Sequence, residues 1–218
     1  RDGHTVTVAS AGGRYAEMLE RCGIRHVTMP LHTKNPLAVL RCRAALKKLI
    51  ETGHFDVVHA HARIPAFICG SLQKKLHFRF VTTAHWVFRV TPLWRRLANW
   101  GDRQMAVSED IKQYLVDNYG QFADNISVTV NGIDTDGFAP HGDFTAIRDE
   151  LALSASAHRI VSVSRMDESR GKAQLCLAKC AERLLAKYPD LEIVIVGDGV
   201  LSAERNLLTD VRAIADAL

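Results

Sequence analysis

Short apolar runs and helix-period segments alternate along the whole chain, and this alternation restricts the fold more than any other feature. Residues 4–9 (HTVTVA) form a first β-rich run, Gly12-Gly13 punctuates it, and residues 14–22 set Ala16, Leu19 and Cys22 on one helical stripe. Residues 27–30 read as a short strand. Pro36 then opens a helix whose apolar face carries Leu37, Leu40, Ala44 and Ile50, with Arg41, Arg43, Lys47 and Lys48 on the wet face. Strands are expected at 56–59, 78–83, 103–107 and 126–130, with helices at 62–75, 92–100 and 109–118 between them. Strands this short and apolar, separated by helices, belong to a parallel sheet covered on both faces.

The alternation breaks at residues 131–140 (NGIDTDGFAP), rich in Gly, Asp and Pro, and this is the expected domain boundary. A second set follows, with a helix near 143–151, a strand at 159–164, a helix at 172–187, a strand at 191–196, a Gly197-Asp198-Gly199 turn and a helix at 202–218. The reading is two Rossmann-like α/β domains, 1–138 and 139–218. A doubly wound sheet normally has five or six strands, so the second domain is expected to be incomplete at its C-terminal end. The start, Arg1-Asp2-Gly3-His4, runs almost directly into a strand, so both ends are expected to be artificial.

Charge is unevenly spread. Residues 1–138 hold 18 Lys/Arg against 12 Asp/Glu, and residues 34–103 hold 13 against 3. A field so concentrated attracts an anionic surface or acceptor. The five cysteines include no CxxC pair, and Cys176 and Cys180, one helical turn apart, are expected to be small buried residues in a reducing compartment. No stretch approaches the ~18 apolar residues of a membrane span.

In parallel α/β folds, ligands bind beyond the carboxyl ends of the strands, which singles out the residues following each strand. His59 and His61 are two apart and point to one side of a strand; metal ligation, a polar cleft lining and acceptor contact are the alternatives, and nothing nearby offers a convincing partner for the pair as metal ligands. His85 follows a β-branched run and can bond a sugar hydroxyl or a phosphate through either ring nitrogen. Ser108 and Glu109 read either as the start of a helix or as a polar rim under a substrate. Arg165, Arg170 and Lys172 lie between a strand end and a helix, where cations and free N–H groups suit a diphosphate, although Asp167 and Glu168 offer the arginines other partners. Gly197 and Gly199, around Asp198, permit close backbone approach. Neither GxGxxG nor GxxxxGK[ST] occurs.

These pieces, in order, resemble family 4 of the retaining glycosyltransferases with the GT-B fold. The resemblance is carried by the opening Asp2–Val8, Asp56-Val57-Val58-His59-Ala60-His61, Thr82-Thr83-Ala84-His85, Val107-Ser108-Glu109 and Asn131-Gly132-Ile133-Asp134 with Phe138. It continues through Ser164-Arg165-Met166, Arg170-Gly171 and Pro189-Asp190-Leu191 into Ile195–Gly199. It implies that His85 is the active-site histidine near the donor sugar and that Arg165 clamps the donor diphosphate. The second clamp falls to Arg170 or Lys172, because Arg170 precedes Gly171 where the family has lysine, and Ser164 stands where the family has glycine. Asn131 would lie in the cleft floor. The resemblance also implies that the first strand with its glycine-rich loop, and a pair of glutamates eight apart, fall outside these 218 residues, so the chain alone is expected to be inactive and the first domain to lack its initial strand.

The implied reaction is transfer of a glycosyl group from a nucleotide diphosphate sugar to an acceptor hydroxyl with retention, in synthesis of cell-surface polysaccharide or glycolipid. It needs no cofactor and no metal. Expected partners are the nucleotide sugar, a glycan or lipid-linked acceptor, an anionic membrane surface at the inner face from the cytoplasmic side, and an oligomer covering exposed sheet surfaces. An NAD-dependent oxidoreductase and a nucleic-acid-binding module are the rival readings. The first lacks its fingerprint; the second lacks interleaved aromatics and a reader motif, and no nucleic acid is expected.

Overall fold

The computed structural model describes residues 3–13, 15–33, 35–139, 142–164, 174–197 and 210–218. The chain divides into two compact units, Arg1–Asp134 and Thr135–Leu218. This division lies within the sequence neighbourhood that breaks the alternation, four residues before the 138/139 boundary.

In the first unit the order is β1 (Thr7–Ser10), α1 (Ala16–Arg21), β2 (Arg25–Thr28), α2 (Pro36–Gly53), β3 (Val57–Ala60), α3 (Arg63–Leu76), β4 (Arg79–Ala84), α4 (Pro92–Leu97), β5 (Arg103–Ala106), α5 (Glu109–Tyr119) and β6 (Ile126–Val128). The second unit contains α6 (Thr145–Glu150), β7 (His158–Val163), α7 (Gln174–Lys187) and β8 (Leu191–Val196), and residues 210–216 are helical. All ladders among the described residues are parallel: β1 with β2, β3-β4-β5-β6 in sequential order, and β7 with β8.

Local chemistry explains the helix ends. Asn35 Oδ1 accepts from the N–H groups of Leu37 and Ala38 at 3.0 and 3.3 Å, with Pro36 behind it, which starts α2. Gly120, at φ 63°, ends α5 in the left-handed region. The α4 helix stops at Leu97, short of the expected 100, because Ala98 turns extended and Asn99 Oδ1 accepts from Gly101 N–H at 3.0 Å. Gly101 has φ +71°, and a Cβ there would sit 2.5 Å from the Phe80 carbonyl oxygen, so this turn requires glycine.

Two strands are displaced from their sequence positions. β1 begins at Thr7 rather than 4, and β2 spans Arg25–Thr28 rather than 27–30. Among the described residues each is the other's only ladder partner, with Thr7 opposite Arg25 and Ser10 opposite Thr28, so neither extends past the other, and Pro30 has no N–H to contribute.

The first unit has two buried clusters: Leu46, Ile68, Leu72 and Phe80 where α2 and α3 cover the sheet, and Ala84, Trp100, Ala106, Leu115 and Ile126 where α5 does. Leu72 and Phe80 are fully buried; truncating either to alanine would cost about 3–5 kcal/mol. The second unit buries Gln174, Ala178 and Ala181 along α7, a stripe that leaves Cys176 and Cys180 exposed, contrary to the expectation of buried thiols. Cys42 and Cys69 are the buried cysteines of the first unit.

Among the described residues no ladder joins β1 to β3. A groove of about 380 Å³ separates them, bordered by Thr7 and Ala9 on one side, Val58 and His59 on the other, and Leu46 and Cys69 from the covering helices.

Candidate functional site

The carboxyl ends of β3 and β4 bring three imidazoles together. The β3–β4 register sets His59 opposite Val81 and Ala60 opposite Thr82, so 59, 61, 83 and 85 share one parity. His59 in β3 and His61 just after it each reach diagonally to the residue two positions further along the neighbouring chain segment. His59 Nε2 lies 2.7 Å from Thr83 Oγ1, and His61 Nδ1 lies 3.0 Å from His85 Nε2. The rings also stack, His59 to His61 at 4.1 Å between centroids and His61 to His85 at 5.3 Å.

The stack alters the electrostatics. Partial burial, and then the charge that His61 and His85 would carry, hold the His59 pKa below the ordinary histidine value. Burial and then His85 do the same for His61. Among the described residues, no group of three or more His, Cys, Asp or Glu side chains is arranged to hold a metal ion; His61 and His85 turn ring nitrogens toward each other instead.

The loop after His85 is fixed from two sides. Tyr114 Oη donates to the Phe88 carbonyl at 2.7 Å and accepts from Phe88 N–H at 3.1 Å. Arg63, first residue of α3, places its guanidinium carbon 4.1 Å from the Phe88 ring centroid and 4.7 Å from that of Trp94. A small cavity of about 40 Å³ lies between these groups, bordered by His61, Arg63, Thr83, His85, Phe88 and Trp94. A hydroxyl, a guanidinium edge and imidazole donors there suit an oxygen-rich, neutral or anionic ligand.

The other sequence candidates are more dispersed. Ser108 Oγ accepts from Ile111 N–H at 3.4 Å and caps α5, with Glu109 and Asp110 in its first turn, which is the helix-start alternative. Asn131 is exposed beyond β6, and Gly197 is exposed after β8 in the second unit. Arg165, Arg170, Lys172, Asp198 and Gly199 lie outside the described residues. Sequence reasoning missed Thr83 and Arg63. The shared parity of 59, 61, 83 and 85 would have pointed to Thr83 once the strand register was assumed; nothing in the sequence pairs Arg63 with two aromatic rings 25 and 31 positions away.

Beyond the histidines, the surface is basic and partly apolar. Trp86, Val87 and Leu93 are exposed, as are Arg89, Arg95 and Arg96, and no Asp or Glu occurs between Asp56 and Asp102. No helix among the described residues is long and apolar enough to cross a membrane.

The chain is similar to known glycosyltransferases. The sequence profile of Glycosyltransferase Family 4 matches residues 1–137. EpsF of Bacillus subtilis (strain 168) is 30% identical over 225 aligned residues, which cover 90% of this chain and 56% of EpsF. The crystal structure of a glycosyltransferase from Rickettsia africae ESF-5 superposes with a TM-score of 0.81 at 26% identity, over 99% of this chain and 57% of that one. HepE from Anabaena, solved with UDP-glucose, superposes with a TM-score of 0.74 at 18% identity, over 97% and 58% of the two chains, a likeness of fold. The chain thus spans a little over half the length of these relatives, and its architecture is of the GT-B type.

Proposed function

Because the chain belongs to glycosyltransferase family 4, we propose that the protein transfers a glycosyl group from a nucleotide diphosphate sugar to an acceptor hydroxyl, with retention of configuration, in synthesis of a cell-surface polysaccharide or glycolipid. The observation that carries this reading is the convergence of His59, His61 and His85 at the carboxyl ends of β3 and β4, where ligands bind in parallel α/β sheets. His85 is the catalytic residue in this reading, bonding the donor sugar. His59 and His61 line the acceptor side with Asn131, in the domain 1–138 of the sequence reading, which takes the acceptor.

The donor side falls to residues 139–218. Arg165, with Arg170 or Lys172, neutralises the charge that develops on the departing diphosphate, and Gly197, Asp198 and Gly199 allow its close approach. With cations in that role, the reaction needs neither metal nor cofactor. The exposed Trp86, Val87 and Leu93 among Arg89, Arg95 and Arg96 support docking of the first unit on an anionic membrane surface at the cytoplasmic face, where a lipid-linked acceptor is presented.

The test is a panel of nucleotide sugars offered to the complete enzyme, with released nucleotide and glycosylated product followed in parallel. Product with the donor's anomeric configuration, lost in His85→Ala, is expected. No transfer from any nucleotide sugar, or inverted product, would overturn the reading.

A further inference from the structure

His85 has two ring nitrogens, and one of them is already engaged. Its Nε2 lies 3.0 Å from His61 Nδ1, while the rings stack at 5.3 Å and 25° between planes. A hydrogen bond between two imidazole nitrogens needs one proton on one of them, so the tautomers of the two rings are linked. With both rings neutral, His61 Nδ1–H donates to His85 Nε2 and the His85 proton sits on Nδ1, or His85 Nε2–H donates to His61 and its Nδ1 is bare. With one extra proton on the pair, His85 Nδ1 carries hydrogen whichever ring holds the charge. A second extra proton would set two donors against each other and break the bond.

We propose that His61 is a positioning residue: its Nδ1–H donates to His85 Nε2, which fixes the His85 ring and presents His85 Nδ1–H as the hydrogen-bond donor to a sugar or phosphate oxygen. The surroundings support this assignment. His59, whose ring centroid lies 4.1 Å from that of His61, is separately tied to Thr83 Oγ1, so the His61 ring contacts both other imidazoles. Neither cavity bordering the stack is lined by a carboxylate that could compete for the His61 proton; the charged or titratable groups lining them beside His61 are His59, His85, His32, Arg63 and Cys69, whose thiol burial pushes up to about 11. Burial and then His85 lower the His61 pKa, which favours a neutral His61 ring and so a single shared donor between the two nitrogens.

The inference rests on the proposed role of His85 for its catalytic consequence, whereas the proton assignment stands on the pair alone. Nitrogen-15 NMR of the uniformly labelled chain, without substrate, reads the assignment directly. We expect His85 as the Nδ1–H tautomer and a coupling across the hydrogen bond between His61 Nδ1 and His85 Nε2. In His61→Phe, which keeps a stacked ring and removes the donor, His85 should shift toward Nε2–H. An Nε2–H His85 in the parent chain, an absent coupling, or an unchanged His85 tautomer in His61→Phe would each overturn the proposal; the first two need no variant to fold. In the complete enzyme, kcat should fall ~10- to 100-fold in His61→Phe with KM for the nucleotide sugar little changed, and His61→Asn, whose amide can donate from nearly the same place, should recover most of it. Equal loss in both variants would remove the positioning role. Full activity in His85→Ala would instead sink the functional reading and leave the tautomer result standing.

Discussion

Phe80 and Asp102 are bound to each other twice: Asp102 N–H donates to the Phe80 carbonyl at 2.7 Å, and Phe80 N–H donates to Asp102 Oδ2 at 2.8 Å. Gln73 Nε2 also donates to the same carboxylate at 2.7 and 2.8 Å, which ties α3 to the entry of β5. Replacing Asp102 with alanine leaves the N–H of a fully buried phenylalanine without its acceptor. The variant should lose about 1–2 kcal/mol, the lower part of the range for bonds to a charged group because the carboxylate itself is exposed. Urea unfolding of parent and Asp102→Ala measures it, and coincident midpoints would show that water replaces the carboxylate without loss.

The histidine stack makes stability depend on pH in a defined direction. His59 and His61 have lowered pKa values in the folded unit, so on acidification the unfolded chain takes up protons first. Stability is then complete above the unfolded-state value of about 6.5 and declines as pH falls below it toward the folded values. The denaturation midpoint should drop between about pH 7.5 and 5.5, and the drop should shrink in His59→Gln/His61→Asn. A slope equal in parent and double variant would assign the effect to other groups.

Membrane docking predicts a salt-sensitive, charge-selective association. The complete protein should sediment with vesicles containing anionic lipid and be released as salt rises, since the cations at Arg89, Arg95 and Arg96 act within a screening length. Arg95→Glu/Arg96→Glu should abolish most of the binding, and Trp86→Ala should weaken it at constant charge. Equal binding to neutral vesicles would refute an electrostatic surface.

Arg165→Ala in the complete enzyme should weaken nucleotide diphosphate binding by about 1.5–3 kcal/mol, roughly 10- to 150-fold, and acceptor binding much less. Calorimetric titration with the nucleotide diphosphate decides it; unchanged affinity would take Arg165 out of the clamp.

Much of this was legible in the sequence because a parallel sheet imposes two regularities that survive without coordinates. Apolar runs such as 78–83 had to be strands, since β-branched residues bounded by helices leave no other way to bury both faces, and β4 spans Arg79–Ala84. His59, His61 and His85 could be singled out because each follows a run of that kind. What could not be read was register. Whether His61 meets His85 or Thr83 depends on the pairing of Val57 with Arg79, a relation between strands that neither strand encodes alone. The shift of β2 to Arg25 has the same origin, because β1 is its one partner among the described residues. Cys176 and Cys180 escaped because helical spacing gives two residues a common face without saying which face is covered.

The groove between β1 and β3 leaves a signature in time as well as in space. In a parallel ladder a strand sends successive N–H groups alternately to its two sides, so a strand with one neighbour shelters about every second amide. Among the described residues β4 and β5 have neighbours on both sides, whereas β1 and β3 have one each. Deuterium should therefore enter β1 and β3 with a two-residue rhythm, fast and slow amides alternating, while β4 and β5 exchange slowly throughout. An extended chain seated in the groove would silence that rhythm on both strands at once, and a small molecule bound at the histidines would leave most of it intact.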